Sequence, residues 1–295
     1  MTTTTRVRGF APWRLHRQSR VLVEQVQAII EEYNDQLPLT LRQIFYILVS
    51  NDAWPKTENA YKALGEKMNR GRRAGMIPWD AIRDDGHTYR STGGYISLSH
   101  FWHTVRRDAE DFTLDRQQDQ PRRLMLWCEA AGMVPQLMRV AEPYGIAVAS
   151  GSGFDSVTAK YEAAQLITGN GPTTILHLGD YDPSGVHVHS ALSEDLGAFV
   201  DAMGGDVEVI RIAVTPEQVD RYDLPTAPPK KEDKRSFDGD ATTQCEALPP
   251  TILADLVREA IESRIDAVAY KATLAEEERL RAAAVATMER LLSSE

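Results

Sequence analysis

Three carboxylates follow predicted strands at positions where they could gather round a metal ion. Glu129 comes directly after the apolar run at 124–128, and Asp180 and Asp182 follow the third predicted strand, within the segment Gly-Asp-Tyr-Asp-Pro-Ser-Gly at 179–185. Because parallel strands present their carboxyl ends at one edge of a sheet, we expect these side chains to lie close together. Carboxylate oxygens are the ligands that hard cations prefer. The sequence therefore predicts an Mg²⁺ site formed by Glu129, Asp180 and Asp182.

An Asp-X-Asp pair is a weak signal by itself, because turns between strands and helices are rich in Asp residues that cap the helix or face solvent. Phosphatases of the haloacid dehalogenase type also use such a pair, but after the first strand and usually before Thr or Val. Here it precedes Pro183, which suits the first turn of a helix whose amino terminus attracts phosphate. A Gly-Ser-Gly loop at 151–153, after the second predicted strand, adds support for a functional edge.

Tyr46 is a candidate nucleophile on a predicted helix. It lies roughly 130 degrees from the centre of that helix's apolar stripe, at about 100 degrees per residue, so we expect it outside the core. Arg42 lies one turn earlier on nearly the same side and is placed to contact the phenol or a bound phosphate. A phenol with a pKa of about 10 needs nearby cations to act as a nucleophile. The alternative is an ordinary surface or interface tyrosine.

Basic residues on the next helix are candidates for DNA phosphate contacts. Arg70, Arg72 and Arg73 end this helix, and Lys62 lies on it. Residues 1–123 carry 19 Lys and Arg against 15 Asp and Glu, whereas the remainder carries 14 against 28. A basic part joined to an acidic part suits a protein that holds phosphates with one and metal ions with the other. A solvated basic helix end is the alternative for each arginine.

The residues before 119 predict a winged helix-turn-helix. A helix at 19–33 is followed by a second that begins at a capping box, Thr40 with Gln43, and by a third at about 57–73. The segment 77–96 contains Pro and Gly with short apolar pieces, which favours a β-hairpin or wing. We therefore predict a DNA-binding domain at 1–118.

From residue 119 the pattern indicates an α/β domain, assigned to 119–215. Short apolar runs alternate with helices, which predicts a parallel sheet with right-handed crossovers. The predicted strands are 124–128, 146–149, 174–178 and 207–214, and the predicted helices are 134–142, 155–167 and 186–203.

The last region, 216–295, is predicted to begin with an exposed irregular connection at 216–250 and to end in helices that pack on the sheet. Its basic cluster of Lys230, Lys231, Lys234 and Arg235 is mixed with acidic residues and is not interpreted as a DNA surface. An apolar stripe on the final helices, from Leu253 to Ile265, is compatible with dimerisation.

The arrangement of Glu129, Asp180 and Asp182 resembles the Toprim domain, a Rossmann-like domain of topoisomerases, primases and certain nucleases. The segment Arg-Gln-Ile-Phe-Tyr at 42–46 resembles the segment that carries the catalytic tyrosine in the A subunit of topoisomerase VI and in the related meiotic double-strand-break protein. The resemblance covers roughly residues 20–215 in the same order and is strongest to small stand-alone A-subunit relatives. Phe45 replaces the tyrosine that the family has at that position.

The resemblance implies that Tyr46 attacks a DNA phosphodiester and becomes linked to a 5′ end. It also implies that Mg²⁺ at the three carboxylates, contributed by the other protomer of a homodimer, stabilises charge on the phosphate. The sequence contains no Walker-type phosphate loop, so an ATPase would be a separate B-type subunit. The alternatives are a Toprim nuclease that hydrolyses double-stranded DNA without Tyr46 and a non-catalytic DNA-binding protein.

Two classes are excluded by composition. No run approaches the roughly 18 consecutive apolar residues of a membrane helix, so we expect a cytoplasmic protein without a membrane partner. The two cysteines, Cys128 and Cys245, lack the spacing of a zinc site or disulfide framework and are predicted to be buried thiols.

Overall fold

The computed structural model describes residues 11–83, 93–150, 157–229 and 237–293. Residues 84–92 of the predicted wing lie outside these ranges. The loop at 151–153 and the basic cluster at 230–235 lie wholly outside them. The fold is α/β with parallel strands, as the alternation of apolar runs predicts.

Three helices form the first core. They are α1 (Arg17–Glu32), α2 (Leu41–Ser50) and α3 (Glu58–Arg73), close to the predicted bounds. The predicted capping box is present: Thr40 accepts from the Gln43 backbone, and the Gln43 side chain accepts from the Thr40 backbone. The Thr57 side chain caps α3. These local signals act within a few residues, which is why the sequence predicts the helix starts correctly.

The described part of the region after α3 contains one short strand. Strand β2 (Ile82–Arg83) pairs in parallel with β1 (Leu39–Thr40), which directly precedes α2. Within the described part of 77–96 the two strands of a hairpin are not found, and residues from 98 form an unpredicted helix, α4 (Leu98–Glu110). Its start signal is Ser97, whose side chain accepts from the His100 backbone. Gly93 and Gly94 are typical of a turn, and for this reason the sequence predicts a turn here rather than the approach to a helix.

A four-stranded parallel sheet forms the second layer. Its strands, β3 (Arg123–Cys128), β4 (Ala147–Ser150), β5 (Thr173–Leu178) and β6 (Val207–Ala213), lie in the order β4-β3-β5-β6. The connecting helices are α5 (Val134–Ala141), α6 (Val157–Asn170) and α7 (Pro183–Ala202). Strand residues alternate between two cores, because successive side chains point to opposite faces. This arrangement puts the ends of β3 and β5 side by side.

The final helices, α9 (Pro250–Glu262) and α10 (Ala267–Ser293), follow the sheet as predicted. The apolar stripe of α9 is not exposed: Leu253, Val257 and Ile261 are buried in the same core as one face of the sheet. The stripe thus packs on the sheet, as predicted for the final helices, and these three residues are not available to a second copy of the chain. No helix in the described parts of the chain has the length and apolar character needed to span a membrane.

The connection at 216–250 is less exposed than predicted. It contains a short helix, α8 (Pro216–Arg221), capped by Thr215, and ends in a segment of six residues, 243–248, which we call the strap. Thr243, Cys245 and Glu246 of the strap are buried. Thr243 pairs with Tyr181 beside β5, and Ala247 joins the core of α1 to α3. The strap thus touches both the sheet and the first helices.

Candidate active site

Glu129 lies against the loop that carries Asp180 and Asp182. Glu129 follows β3 and Asp180 follows β5, and these strands are hydrogen-bonded neighbours. The Glu129 Oε2 atom accepts a hydrogen bond from the Asp180 backbone at 3.1 Å. Asp182 lies two residues further on, where its Oδ1 atom caps α7 by accepting from the Gly185 backbone at 2.7 Å. The predicted edge is therefore formed by adjacent parallel strands.

Two glycines allow this loop to close round the glutamate. A Cβ atom at Gly185 would lie 2.2 Å from the Asp180 carbonyl oxygen and 3.2 Å from Glu129 Oε2. A Cβ atom at Gly179 would lie 3.1 Å from the same carboxylate oxygen. At Gly185 a side chain would displace backbone, whereas at Gly179 it would press on the side chains of His177 and Glu129. The Gly-Asp-Tyr-Asp-Pro-Ser-Gly segment is thus a tightly packed cradle for Glu129.

The carboxylates repel one another in a partly desolvated place. Burial, followed by the charge of Asp180, raises the pKa of Glu129 from 4.5 to about 7. Burial also raises the pKa of Asp180, and the charge of Asp182 adds to this increase. A bound cation would remove this repulsion.

The donor set fits Mg²⁺ in chemistry, because all three residues offer carboxylate oxygens. The hydrogen bonds to the backbone engage one oxygen each of Glu129, Asp180 and Asp182. Among the described residues, no three His, Cys, Asp or Glu side chains are already grouped as metal ligands. Holding an ion would require the three carboxylates to turn towards it.

Tyr46 is buried, contrary to the expectation from the helical wheel. Its side chain is 7% exposed, its ring lies 5.5 Å from that of Phe45, and its hydroxyl donates to Gln244 Oε1 at 2.5 Å. Burial raises the pKa of the Tyr46 phenol well above its usual value, while Arg42 opposes the increase. The wheel shows only the stripe of α2 itself, whereas the strap that covers Tyr46 comes from 198 positions along the chain.

Arg42 is engaged by a residue that the sequence interpretation missed. Its Nη1 atom lies 3.4 Å from Glu246 Oε2, and its guanidinium lies 5.8 Å from the centre of the Tyr61 ring. Glu246 also accepts from the Thr40 hydroxyl at 3.3 Å, and burial raises its pKa. The apolar neighbours Cys245, Ala247 and Leu248 are the signal in the sequence that this part of the connection is buried.

The strap joins the tyrosine to the acidic edge within one chain. Gln244 accepts from Tyr46, the Cys245 backbone donates to Asp180 Oδ1 at 2.8 Å, and Glu246 pairs with Arg42. The charge of Asp180 contributes to the pKa shifts of both Arg42 and Tyr46. Three consecutive strap residues therefore contact the predicted nucleophile, its arginine and a predicted metal ligand.

Two clefts open beside these residues. One, of about 330 Å³, is lined by Tyr46, Arg42, Gln244 and Lys56, among others. The Lys56 ammonium lies 5.7 Å from the centre of the Tyr46 ring, and burial lowers the pKa of Lys56 to about 8. Lys56 is a second residue that the sequence interpretation missed, because it lies in the loop after Pro55 rather than on a helix.

The other cleft, of about 430 Å³, lies between α2, α3 and the turn after β3. It is lined by residues that include Arg42, Arg72, Arg83, Asn69 and Glu246. The cleft is polar and continues from Arg42 towards the end of α3, so it links the basic helix to the strap.

The four predicted DNA contacts on α3 are not equivalent. Lys62 and Arg70 are exposed, and Arg73 is partly exposed; Lys62 pairs with Glu58 at 2.7 Å. Arg72 is only 9% exposed, donates to the Trp79 and Ile82 carbonyls and lies over the Trp79 ring. Arg72 is therefore a structural residue that holds 79–82 against α3, and its prediction as a phosphate contact is wrong.

Both cysteines are buried free thiols, as predicted, and burial raises the pKa of Cys128 to about 12. No protein-family model matches the chain, and no curated protein matches it in sequence.

Proposed function

We propose that the protein is an Mg²⁺-dependent DNA-cleaving enzyme in which Tyr46 attacks a phosphodiester. The observation that carries the proposal is the strap, which joins Tyr46 at 2.5 Å and Asp180 at 2.8 Å through adjacent residues. A candidate nucleophile, two cations and a carboxylate edge thereby belong to one site. The resemblance to the A subunit of topoisomerase VI supports the same assignment.

The proposed fold assignment is a winged-helix domain followed by a Toprim domain. Three helices in the first domain, two of them capped by threonines, and a parallel sheet with acidic residues after its first and third strands support it. Arg70, Arg73 and Lys62 would contact double-stranded DNA from the outer side of α3. A homodimer and a separate ATPase subunit are further expectations from the resemblance. The strap favours a tyrosine and carboxylates from the same chain over carboxylates from a partner protomer.

In the proposed reaction, Tyr46 Oη forms a bond to the phosphorus of the scissile phosphodiester and the bond from that phosphorus to the 3′ oxygen breaks, so that Tyr46 becomes linked to the 5′ end. The phenolic hydroxyl, once released from Gln244, would give its proton to Lys56, whose ammonium lies 5.7 Å from the centre of the Tyr46 ring and whose pKa is lowered to about 8. The 3′ oxygen leaves as a hydroxyl after taking a proton from water. Arg42, released from Glu246, would pair with the phosphate. When bound at the three carboxylates, Mg²⁺ would supply electrostatic stabilisation of the phosphate.

Metal-dependent hydrolysis is the second candidate, and the burial of Tyr46 favours it. A phenol that is covered by the strap and has a raised pKa is a poor nucleophile until the strap moves. In this reading water attacks the phosphate at the acidic edge, and Tyr46 has a packing role.

The two candidates are separated by the form of the DNA product. Purified protein is incubated with supercoiled plasmid and Mg²⁺ or Mn²⁺, stopped with detergent, and divided into samples with and without protease before electrophoresis. Transesterification predicts broken DNA that enters the gel normally only after proteolysis. Tyr46→Phe should abolish it, whereas the matched variant Tyr61→Phe, on α3 near Arg42, should cleave as the wild type does.

Hydrolysis predicts protein-free breaks that survive Tyr46→Phe. Asp180→Ala should abolish cleavage under both candidates while DNA binding persists. Cleavage that survives Asp180→Ala, or an intact plasmid under every condition tested, would contradict the proposal and favour a non-catalytic DNA-binding protein.

A further inference from the structure

Arg211 on β6 holds the acidic loop through its backbone carbonyls. Its guanidinium donates to four carbonyl oxygens: Gly179 at 2.9 Å, Asp180 at 2.5 Å, Gly185 at 3.3 Å and Val214 at 3.0 Å. Three of these acceptors belong to the loop that surrounds Glu129. A planar guanidinium with five donors in a fixed fork is suited to such a contact, and an ammonium group is not.

The peptide unit between Gly179 and Asp180 transmits this restraint. Its carbonyl accepts from Arg211, and its N–H donates to Glu129 Oε2 at 3.1 Å. In a trans peptide the carbonyl and the N–H point in opposite directions, so fixing one fixes the other. Arg211 therefore determines where the N–H that orients Glu129 points. The same guanidinium also donates to the Gly185 carbonyl at 3.3 Å, at the residue where the loop enters α7.

We propose that Arg211 is a positioning residue: it fixes the backbone of the loop that carries Asp180 and Asp182 and the peptide N–H that holds Glu129, so that these carboxylates need only turn their side chains to bind a divalent cation. The inference depends on the proposed metal site. Groups that orient metal ligands from behind typically affect metal affinity by about 10- to 100-fold. Loss of the fork should therefore weaken binding of the metal even where the charge is kept.

Arg211→Lys keeps the charge and removes the fork, and Arg122→Lys is its matched control. Arg122 lies at the opposite end of the sheet and also uses its fork, with hydrogen bonds to the Thr173 carbonyl and the Thr174 hydroxyl and an ion pair with Asp206. Both variants lose a fork that joins neighbouring strands, so both should lose some thermal stability. Only Arg211→Lys should change metal affinity.

The measurement is the Kd for Mn²⁺ alone, by titration calorimetry at 25 °C, on variants whose circular dichroism matches the wild type. We expect the Kd of Arg211→Lys to increase about 10- to 100-fold, and that of Arg122→Lys to stay within about twofold of the wild type. An unchanged Kd for Arg211→Lys would overturn the role of Arg211 and leave the metal site standing. Absence of Mn²⁺ binding by the wild type would overturn the metal site and this role with it.

Hydrogen exchange on the metal-free wild type provides a test that does not depend on variant folding. If Arg211 prearranges the loop, the amides of Asp180 and Gly185 exchange slowly before any metal is added. Fast exchange in the peptide 179–186, with protection only after Mn²⁺ is added, would contradict prearrangement.

Discussion

Replacing Glu129 with Gln should stabilise the metal-free protein at alkaline pH. In the folded chain the pKa of Glu129 rises from 4.5 to about 7, because the carboxyl is partly buried near Asp180. When folding raises the pKa of an acid, ionisation of that acid destabilises the folded state. The free energy of unfolding therefore falls as the pH rises from about 4.5 to about 7, and stays at the lower value above it. A neutral amide of the same shape avoids this loss.

The magnitude follows from the two pKa values. Each pKa unit corresponds to about 1.4 kcal/mol, so the rise of the Glu129 pKa from 4.5 to about 7 would correspond to a loss of about 3.4 kcal/mol in the free energy of unfolding. Glu129 is only partly buried, and solvent screening reduces this to about 1–2 kcal/mol. We expect the free energy of unfolding of Glu129→Gln to exceed that of the wild type by this amount at pH 8 and by much less at pH 5.

The assay is urea unfolding at pH 5 and pH 8 in the presence of a chelator, with the exposed Glu259→Gln on α9 as control. Mg²⁺ should then reverse the order at pH 8, because a ligand present at about 100 times its Kd stabilises the wild type by about 2.7 kcal/mol and the variant lacks one of its carboxylates. A Glu129→Gln variant that is less stable than the wild type at pH 8, or equally shifted at both pH values, would refute the reasoning.

Two further predictions concern the loop and α3. Gly185→Ala should lower the free energy of unfolding by about 1–3 kcal/mol, because its Cβ atom would lie 2.2 Å from the Asp180 carbonyl oxygen. Gly197→Ala on the same helix meets nothing within 4 Å and should raise it by about 0.5–1 kcal/mol in the same denaturation assay. Arg72→Ala should cost about 1–3 kcal/mol in stability, because two backbone carbonyls lose their donor. Arg70→Ala should leave stability unchanged and weaken DNA binding in a salt-dependent manner. Stability is measured by thermal unfolding and DNA binding by fluorescence anisotropy. Loss of stability in Arg70→Ala together with loss of DNA binding alone in Arg72→Ala would contradict both assignments.

The sequence predicted those parts of the molecule that short-range signals determine. The capping box at Thr40 involves residues three positions apart, and the structure contains it. The apolar runs before Glu129 and Asp180 are likewise short, and the structure forms them as neighbouring strands. The burial of Tyr46 could not be predicted in this way, because it depends on the strap, 198 positions along the chain. The burial of Arg72 was missed because residues 79–82, which accept its hydrogen bonds, fold back on α3 instead of forming the predicted hairpin. Glu246 was missed for the same reason as the burial of Tyr46.

The length of chain between α2 and the strap has a consequence for synthesis. Tyr46 and Gln244 are 198 positions apart, and ribosomes add roughly 5–20 residues per second, so about 10–40 s separate their appearance. Throughout that interval Tyr46 lacks its hydrogen-bond acceptor, Gln244, and Arg42 lacks its ion-pair partner, Glu246. The link between α2 and the acidic edge therefore forms only after all four strands of the sheet, the last of which ends at Ala213, have been synthesised.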